Sequence, residues 1–570
     1  MVFELDEKAP WLKNYGEVKF HLDYPETTMS GAVLDAAKEN PDFPALAFMG
    51  REISYTYLSA KIDECAKAFK AIGIKEDDRV TLCMPNVPQT VYCFYALNRI
   101  GAIATMIHPL SAVGEIEFYI NETESKYVVT LDMFYGKISE VMKKCPLTKV
   151  VIGSIKDELS PLLAIGYALT KGRKIAKVPY DDKVISWKTF LDSAKSFSGE
   201  YVAAKAPDDV AVILFSGGTT GVTKGIQLTN RNFNALALQT IVMCNKEVKH
   251  KKMLAAMPMF HGFGLGVCVH TMMFCGGQSI LVPQFNVKDY AGLIKKHKPN
   301  YIAGVPTLYE ALTRTNYLDG VNLDCLMGVF SGGDTLSVEL KKKFDKFLDE
   351  HGATVHVREG YGTTECVTAC CLTPYNVDKE GTIGFPYPDT YFKICKPATD
   401  EELPYGEDGE ICICGPSVMK GYLNKPEENA NTLKVHSDGN IWLHTGDLGC
   451  MDDNGFVYFK QRIKRMIITS GYNVYPSQIE NIIDAHDAVQ ISCVIGVKDP
   501  YKIQKVKAFV VLKNGYEPSD ELKSDILAHC KNNVAKYAMP YDVEFRSELP
   551  KTRVGKIAYT ELEKEANSEN

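Results

Sequence analysis

A loop of Gly, Ser and Thr holding one lysine interrupts the chain at "SGGTTGVTKG", residues 216–225. The apolar run "VAVILF" (210–215) feeds it directly. Successive backbone N–H groups in such a turn make a concave anion site, hydroxyls add donors, and Lys224 adds a positive charge. Phosphate is the ligand this composition suits. The spacing belongs to neither of two familiar designs. A Walker A loop places Gly-Lys-Ser/Thr together, whereas Thr223 precedes Lys224 and Gly225 follows it. The glycines also miss the G-x-G-x-x-G dinucleotide pattern.

Six further stretches follow in order: "PMFHGFG" (258–264), "SGGDTLS" (331–337), "YGTTE" (361–365), "HTGDLG" (444–449), "RIKRMIITSGYNVYPSQIE" (462–480) and "LPKTRVGKI" (549–557). With the loop, they resemble the AMP-forming adenylating superfamily of acyl-CoA synthetases, peptide-synthetase adenylation domains and luciferases, over about residues 30–560. Within it the chain is most similar to bacterial fatty-acyl-CoA ligases. The resemblance implies an enzyme that joins a carboxylate to the α-phosphate of ATP, expels pyrophosphate, and passes the acyl group to a thiol. Ser216, Gly217, Gly218, Thr219, Thr220, Gly221 and Lys224 would hold the β- and γ-phosphates. Tyr361 would stack on adenine, with Gly332, Gly333, Asp334, Gly362 and Thr363 along the nucleotide wall. Thr364 would hydrogen-bond the α-phosphate, and Glu365 would help bind Mg²⁺, a hard cation suited to carboxylate and phosphate oxygens. Asp447 would accept from the ribose hydroxyls and Arg462 would touch ribose or phosphate. At Asp334 relatives carry a small residue, and Gln461 stands before Arg462 where they often carry Gly.

Lys556 is the residue expected to act in the first half-reaction, bridging carboxylate and phosphate as charge develops. Lys464 occupies the hinge position of the resemblance, at which a small C-terminal domain would rotate. One orientation would insert Lys556; the other would bring Gly471 and Tyr472 to a coenzyme A channel. His261 and Phe263 would line the acyl site, although a histidine there could equally be a packed core residue. Apolar, glycine-rich stretches at 261–277 and 328–334 favour an aliphatic or aromatic monocarboxylic acid, and the sequence leaves that choice open. Coenzyme A is the expected acceptor, with a separate acyl-carrier protein as the alternative. A silent acyl-adenylate binder would be suggested by loss of Lys224, Glu365, Asp447 or Lys556, and all four are present.

These residues need a scaffold. Strand-like runs such as "RVTLCM" (79–84), "YVVTL" (127–131) and "KVVIG" (149–153) alternate with helix-period segments, the order of an α/β fold with parallel, helix-covered sheets. In "TYLSAKIDECAKAFKAIG" Leu58, Ile62, Cys65, Ala66, Phe69 and Ile72 share one helical face. The expected division is a large domain over 1–463 and a small α+β domain over 464–570. At 570 residues and a net charge of −7, nothing suggests a nucleic-acid surface. Seventeen cysteines without a Cys-x-x-Cys pair indicate reduced thiols in a cytoplasm, with neither a zinc knuckle nor a redox dithiol. The stretch 257–277 imitates a membrane span but carries two histidines, and reads as a buried helix. Residues 159–177, apolar then basic, fit either an amphipathic helix touching a membrane or a solvent-side insertion.

Overall fold

The structure, a computed structural model, describes residues 5–568 except 216–222, 376, 378, 470–471 and 553–554. Among them two large sheets form the body. The first runs Gly421–Tyr422, Gly225–Thr229, Val210–Phe215, Ile103–Met106, Arg79–Cys83, Tyr127–Leu131, Lys149–Gly153 and Val184–Ser186. Its strands are parallel from Val210–Phe215 onward. The second is parallel from Val357–Tyr361 through Gly328–Ser331, Tyr301–Gly304, Lys252–Ala255 and Gln278–Leu281 to Pro44–Phe48. These runs are near-continuously apolar because helices cover both faces.

Helix Tyr55–Ala71 shows how the sequence makes such a cover. Ser54 caps it by accepting from Tyr57 N, and Leu58, Ile62, Cys65, Ala66 and Phe69 are buried on one face. Burial of each large apolar side chain contributes about 1.5–3 kcal/mol. Ile72, expected on that face, is only half-buried, because the helix ends at Ala71. Helix Pro88–Arg99 is different, with every residue from Pro88 to Asn98 buried, so its sequence shows no polar face.

The membrane-like stretch is interior: a π-helix, Phe263–His270, wholly buried, continues as helix Thr271–Phe274. Among the described residues no helix is long and apolar enough to cross a membrane. A Cβ on Gly264 would stand 2.2 Å from the Pro258 carbonyl oxygen, so only glycine fits the start of this turn. The segment at 159–177 departs from the amphipathic alternative. Helix Pro161–Leu169 has no buried residue, and Leu162 is 80% exposed and Ile165 60%. Its apolar residues face outward on more than one side, followed by the basic turn Gly172–Lys174.

A third sheet orders Tyr391–Cys395, Gly409–Cys414, Ile441–Met451 and Leu433–Val435, with Val457–Arg462 also paired to Ile441–Met451. The N-terminal segment straps across it. Trp11 packs on Gly455, Tyr391 Oη donates to Asp6, and Asp389 accepts from Leu22 N and Tyr24 Oη. The smaller C-terminal unit has its own sheet, in which Ile503–Leu512 pairs with Val489–Asp499, Asp542–Phe545 and Ile467–Thr469. The α/β body with a small α+β cap is thus as expected.

Candidate active site

Strand Val357–Tyr361 ends at the carboxyl edge of the second sheet, where open α/β sheets bind ligands. Tyr361 is delivered there, and its hydroxyl donates to Asp447 Oδ2 at 2.7 Å. Its ring stands 5.8 Å from that of Phe459. Gly362 must lack a side chain, because a Cβ would lie 2.3 Å from the Thr368 carbonyl oxygen. The turn after it is strained: Val367 and Thr368 both have positive φ, 57° and 100°. Such strain in β-branched residues collects at functional sites.

Asp447 comes from strand Ile441–Met451 and is 2% exposed. Its Oδ1 meets Arg462 Nε at 3.4 Å without a hydrogen bond, which leaves a buried carboxylate oxygen with acceptor capacity. Burial pushes its carboxyl up, against the pull of Arg462 and Tyr361. Arg462, on the paired strand Val457–Arg462, is held above its usual range by Asp447.

Thr364 and Glu365 start a short 3-10 turn, Thr364–Cys366. Glu365 Oε1 accepts from Tyr422 Oη at 2.9 Å. Lys224 lies 4.7 Å over the Tyr422 ring and pairs with Glu428. Lys224, Tyr422 and Glu365 are therefore linked in one row of contacts, of which Glu365 lines the cavity described below. The residues 216–221 expected to hold phosphate, and Gly471, lie outside the described residues.

The C-terminal unit completes the site. Lys551 and Ile557 bridge, Thr552 N donates to the Lys556 carbonyl at 2.7 Å, and Lys556 N donates to Thr552 Oγ1 at 3.1 Å. Gly555, at φ 85°, makes the tight turn, and its carbonyl accepts from Thr307 Oγ1 of the large body at 2.9 Å. Lys556 thereby reaches across to Gly333. Burial pushes its ammonium down and Arg462 adds to that, while Asp334, Asp447 and Glu365 oppose.

A cavity of about 650 Å³ joins these groups, lined by Thr223, Gly333, Asp334, Tyr361, Gly362, Thr364, Glu365, Asp447, Arg462 and Lys556. His261 lines it too; burial first, then Lys556, pushes its imidazole down to about 3, so it is neutral near pH 7. Phe263 is buried against Gly332 just behind the wall. Thr363 is buried in the same turn. Tyr472 is 56% exposed, stacked on Tyr537, and does not line the cavity in this arrangement.

Sequence reasoning named Asp334 for the nucleotide wall without a side-chain role, and missed several other groups. Asp334 uses its side chain: Oδ1 accepts from Thr335 N and Oδ2 from Ile557 N at 3.4 Å, docking the C-terminal loop. Thr307 and Glu310, on helix Pro306–Thr313, and Glu359 also line the cavity. Glu359 had a signal, since it lies two residues before Tyr361 and strand alternation puts both on one face. Lys464 is exposed in the turn Ile463–Arg465, where the chain leaves the third sheet for the C-terminal one.

A family model described as AMP-binding enzyme matches residues 33–423, more than half of the chain. The chain belongs to the AMP-binding enzyme family. A second model, the AMP-binding enzyme C-terminal domain, matches residues 478–556. This AMP-binding enzyme is 35% identical to the long-chain-fatty-acid–CoA ligase of Bacillus subtilis (strain 168) over 566 residues, 97% of each chain. It is 32% identical to the protein of the same name from Escherichia coli O6:H1 over 539 residues, 92% of each chain. Among solved structures, ATP-bound MatB from Rhodopseudomonas palustris superposes with a TM-score of 0.81 at 26% identity, covering 95% of this chain and 99% of that one. The anthranilate CoA ligase AuaEII bound to anthranoyl-AMP shares the fold, with a TM-score of 0.82 at 22% identity over 96% of this chain and 98% of that one.

Proposed function

We propose that this AMP-binding enzyme activates a long-chain fatty acid with ATP and transfers the acyl group to coenzyme A. The observation that carries the chemistry is the half-buried Lys556, brought by the C-terminal unit to the cavity that Asp447, Thr364 and Glu365 line. The substrate choice rests on the ligases of that name, aligned over nearly the whole chain.

In the first step a carboxylate oxygen attacks the α-phosphorus, the bond to the β-phosphate oxygen breaks, and acyl-AMP and pyrophosphate form. The Lys556 ammonium faces the carboxylate and the charge growing on the α-phosphate, in a site dry enough to strengthen that attraction. Asp447 Oδ1, buried and free to accept, suits a ribose hydroxyl. Tyr361 presents its ring to adenine while its hydroxyl holds Asp447. Thr364 donates to the α-phosphate. Lys224 exchanges Glu428 for the phosphates that leave, together with the hydroxyls and amides of 216–221. Glu365, oriented by Tyr422, fits Mg²⁺, which when bound neutralises phosphate charge. His261, neutral, adds no competing charge beside the acyl carbonyl.

In the second step the thiol attacks the acyl carbon and AMP leaves. Lys556 fills part of the cavity, so we place a rotation between the steps, with the boundary between domains at 463/464 and the hinge at Lys464. The rotated form would bring Gly471 and Tyr472 to the thiol. We assign the enzyme to the cytoplasm, in keeping with seventeen cysteines that are all unpaired. The outward leucines of Pro161–Leu169 and the basic turn after it support contact with an anionic membrane surface.

The test is pyrophosphate release with Mg-ATP against straight-chain acids of increasing length and several aryl acids. Rising kcat/KM with chain length is expected. Preference for an aryl acid would overturn the substrate assignment, and discharge of acyl-AMP by an acyl-carrier protein but not coenzyme A would overturn the acceptor.

A further inference from the structure

The third sheet holds a cluster of donors that the reaction does not use. Cys412, on Gly409–Cys414, is register-paired with His444 on Ile441–Met451, which puts both side chains on one face. His436 approaches from the turn between Leu433–Val435 and Ile441–Met451. Exposure is 0% for Cys412, 4% for His436 and 7% for His444. One ligand atom from each lies within 4.8 Å of the others. His436 Nε2 stands 2.9 Å from His444 Nε2, and Cys412 Sγ 3.9 Å from the latter. Two nitrogens and a sulfur at ordinary zinc bond lengths in a tetrahedron stand about 3.3 and 3.6 Å apart.

The surroundings match that chemistry. Glu410 Oε2 lies 2.9 Å from His444 Nδ1 and also accepts from Ala398 N, while Oε1 accepts from Gly446 N. A carboxylate on Nδ1 holds the proton there and turns the Nε2 lone pair into the cluster, as in carboxylate–histidine–zinc arrangements. His436 Nδ1 is buried without a hydrogen-bond partner. The neighbouring ammonium of Lys393 is paired with Asp438 at 2.9 Å. The thiol of Cys395, on the next strand, hydrogen-bonds with that of Cys412.

We propose that Cys412, His436 and His444 bind one zinc-class divalent cation, with Glu410 as the positioning carboxylate. On binding, the S–H bond of Cys412 breaks, its proton goes to solvent, and a sulfur–metal bond forms; both imidazoles bind neutral. The thiolate and Glu410 together balance the dication. His444 runs directly into Thr445, Gly446 and Asp447 on one strand, so the cation steadies the strand that presents Asp447. The reading from spacing, that no zinc knuckle is indicated, is a different matter: these donors come from two strands and a turn, and no Cys-x-x-Cys pair is involved.

The test uses Co²⁺ on the full-length enzyme, stripped with a chelator and kept in a thiol-free reductant. One Co²⁺ per chain is expected, with thiolate-to-cobalt charge transfer and the intense visible bands of tetrahedral geometry, both abolished by Zn²⁺. C412S should lose the charge-transfer band, and E410Q should bind about 10–100-fold more weakly. Because C412S can fail to fold, H436N is the second variant. Its folding is confirmed by far-ultraviolet circular dichroism and a cooperative unfolding transition of the metal-free protein, and its Co²⁺ affinity should fall at least as far as that of E410Q. Absence of the thiolate band in the wild type, or unchanged Co²⁺ affinity in H436N, would overturn the site.

Discussion

Lys556 carries an ammonium in a place that disfavours ammonium, and the carboxylates of Asp334, Asp447 and Glu365 offset its burial. Lys556→Ala is therefore expected to slow pyrophosphate release about 10²–10³-fold, the usual loss for one preorganised charge-stabilising group. Thioester formation from synthetic acyl-AMP should be largely kept, and equal loss of both steps would contradict the assignment. Tyr361→Phe removes a donor to a buried carboxylate, worth about 1.5–3 kcal/mol, so the KM for ATP should rise about 10–100-fold. A separate residue governs stability with pH. Burial pushes Glu158 up to about 7 from the ordinary 4.5, outweighing Arg51 at 3.0 Å. The folded chain thus keeps a proton that the unfolded chain has released between those values. Stability from this group is complete below about pH 4.5 and lost as pH rises to 7, on the order of 3 kcal/mol. Glu158→Gln should flatten that fall in apparent Tm between pH 5 and 7.5. The catalytic lysine, the aspartate and the tyrosine were legible because each sits in a motif. Asp334 and Thr307 were not, since their roles are contacts with Ile557 and Gly555, more than two hundred residues away.

At the scale of elements, glycines mark where backbone comes closest. A Cβ on Gly555 would face Val305 at 3.3 Å, and its φ of 85° strains any L side chain. Gly555→Ala should cut pyrophosphate release while leaving the unfolding temperature of the large body unchanged, as scanning calorimetry would show. Long alternating strands and helices were readable from periodicity, because burial on one or both faces leaves a pattern. The buried π-helix Phe263–His270 was readable as interior but not as a π-helix, because its turn depends on backbone contacts with Met257 and Pro258. Exposure of Pro161–Leu169 was readable, as a surface helix or insertion, but not that its apolar residues would face outward on more than one side. L162E with I165E should reduce cosedimentation with anionic vesicles and leave turnover of a short soluble acid intact. Unchanged cosedimentation would remove membrane contact from this helix.

At the scale of the molecule, the two units meet through Lys556, Gly555 and Ile557 on one side and the turn Ile463–Arg465 on the other. Proline fixes φ near −65°, so Lys464→Pro should keep adenylation and slow thioester formation at least about tenfold in single-turnover assays. Slowing of both steps together would place the hinge elsewhere. The α/β body and the cap were foreseeable from the change in strand and helix spacing late in the chain. Which face of the cap meets the body was not, because that surface is polar and reads as solvent-exposed. The N-terminal strap has a consequence for synthesis. Lys13 Nζ donates to the Asp453 carbonyl and Asn14 Nδ2 to that of Asn454, each across 440 residues. A ribosome adding about 5–20 residues per second takes roughly 20–90 s to make that stretch. Through that interval Trp11, Tyr15 and Phe20, buried in the finished enzyme, have no surface to lie on. Residues 11–20 leave the ribosome some 440 residues before the groups they bind, and a chaperone that shields them has a long task here.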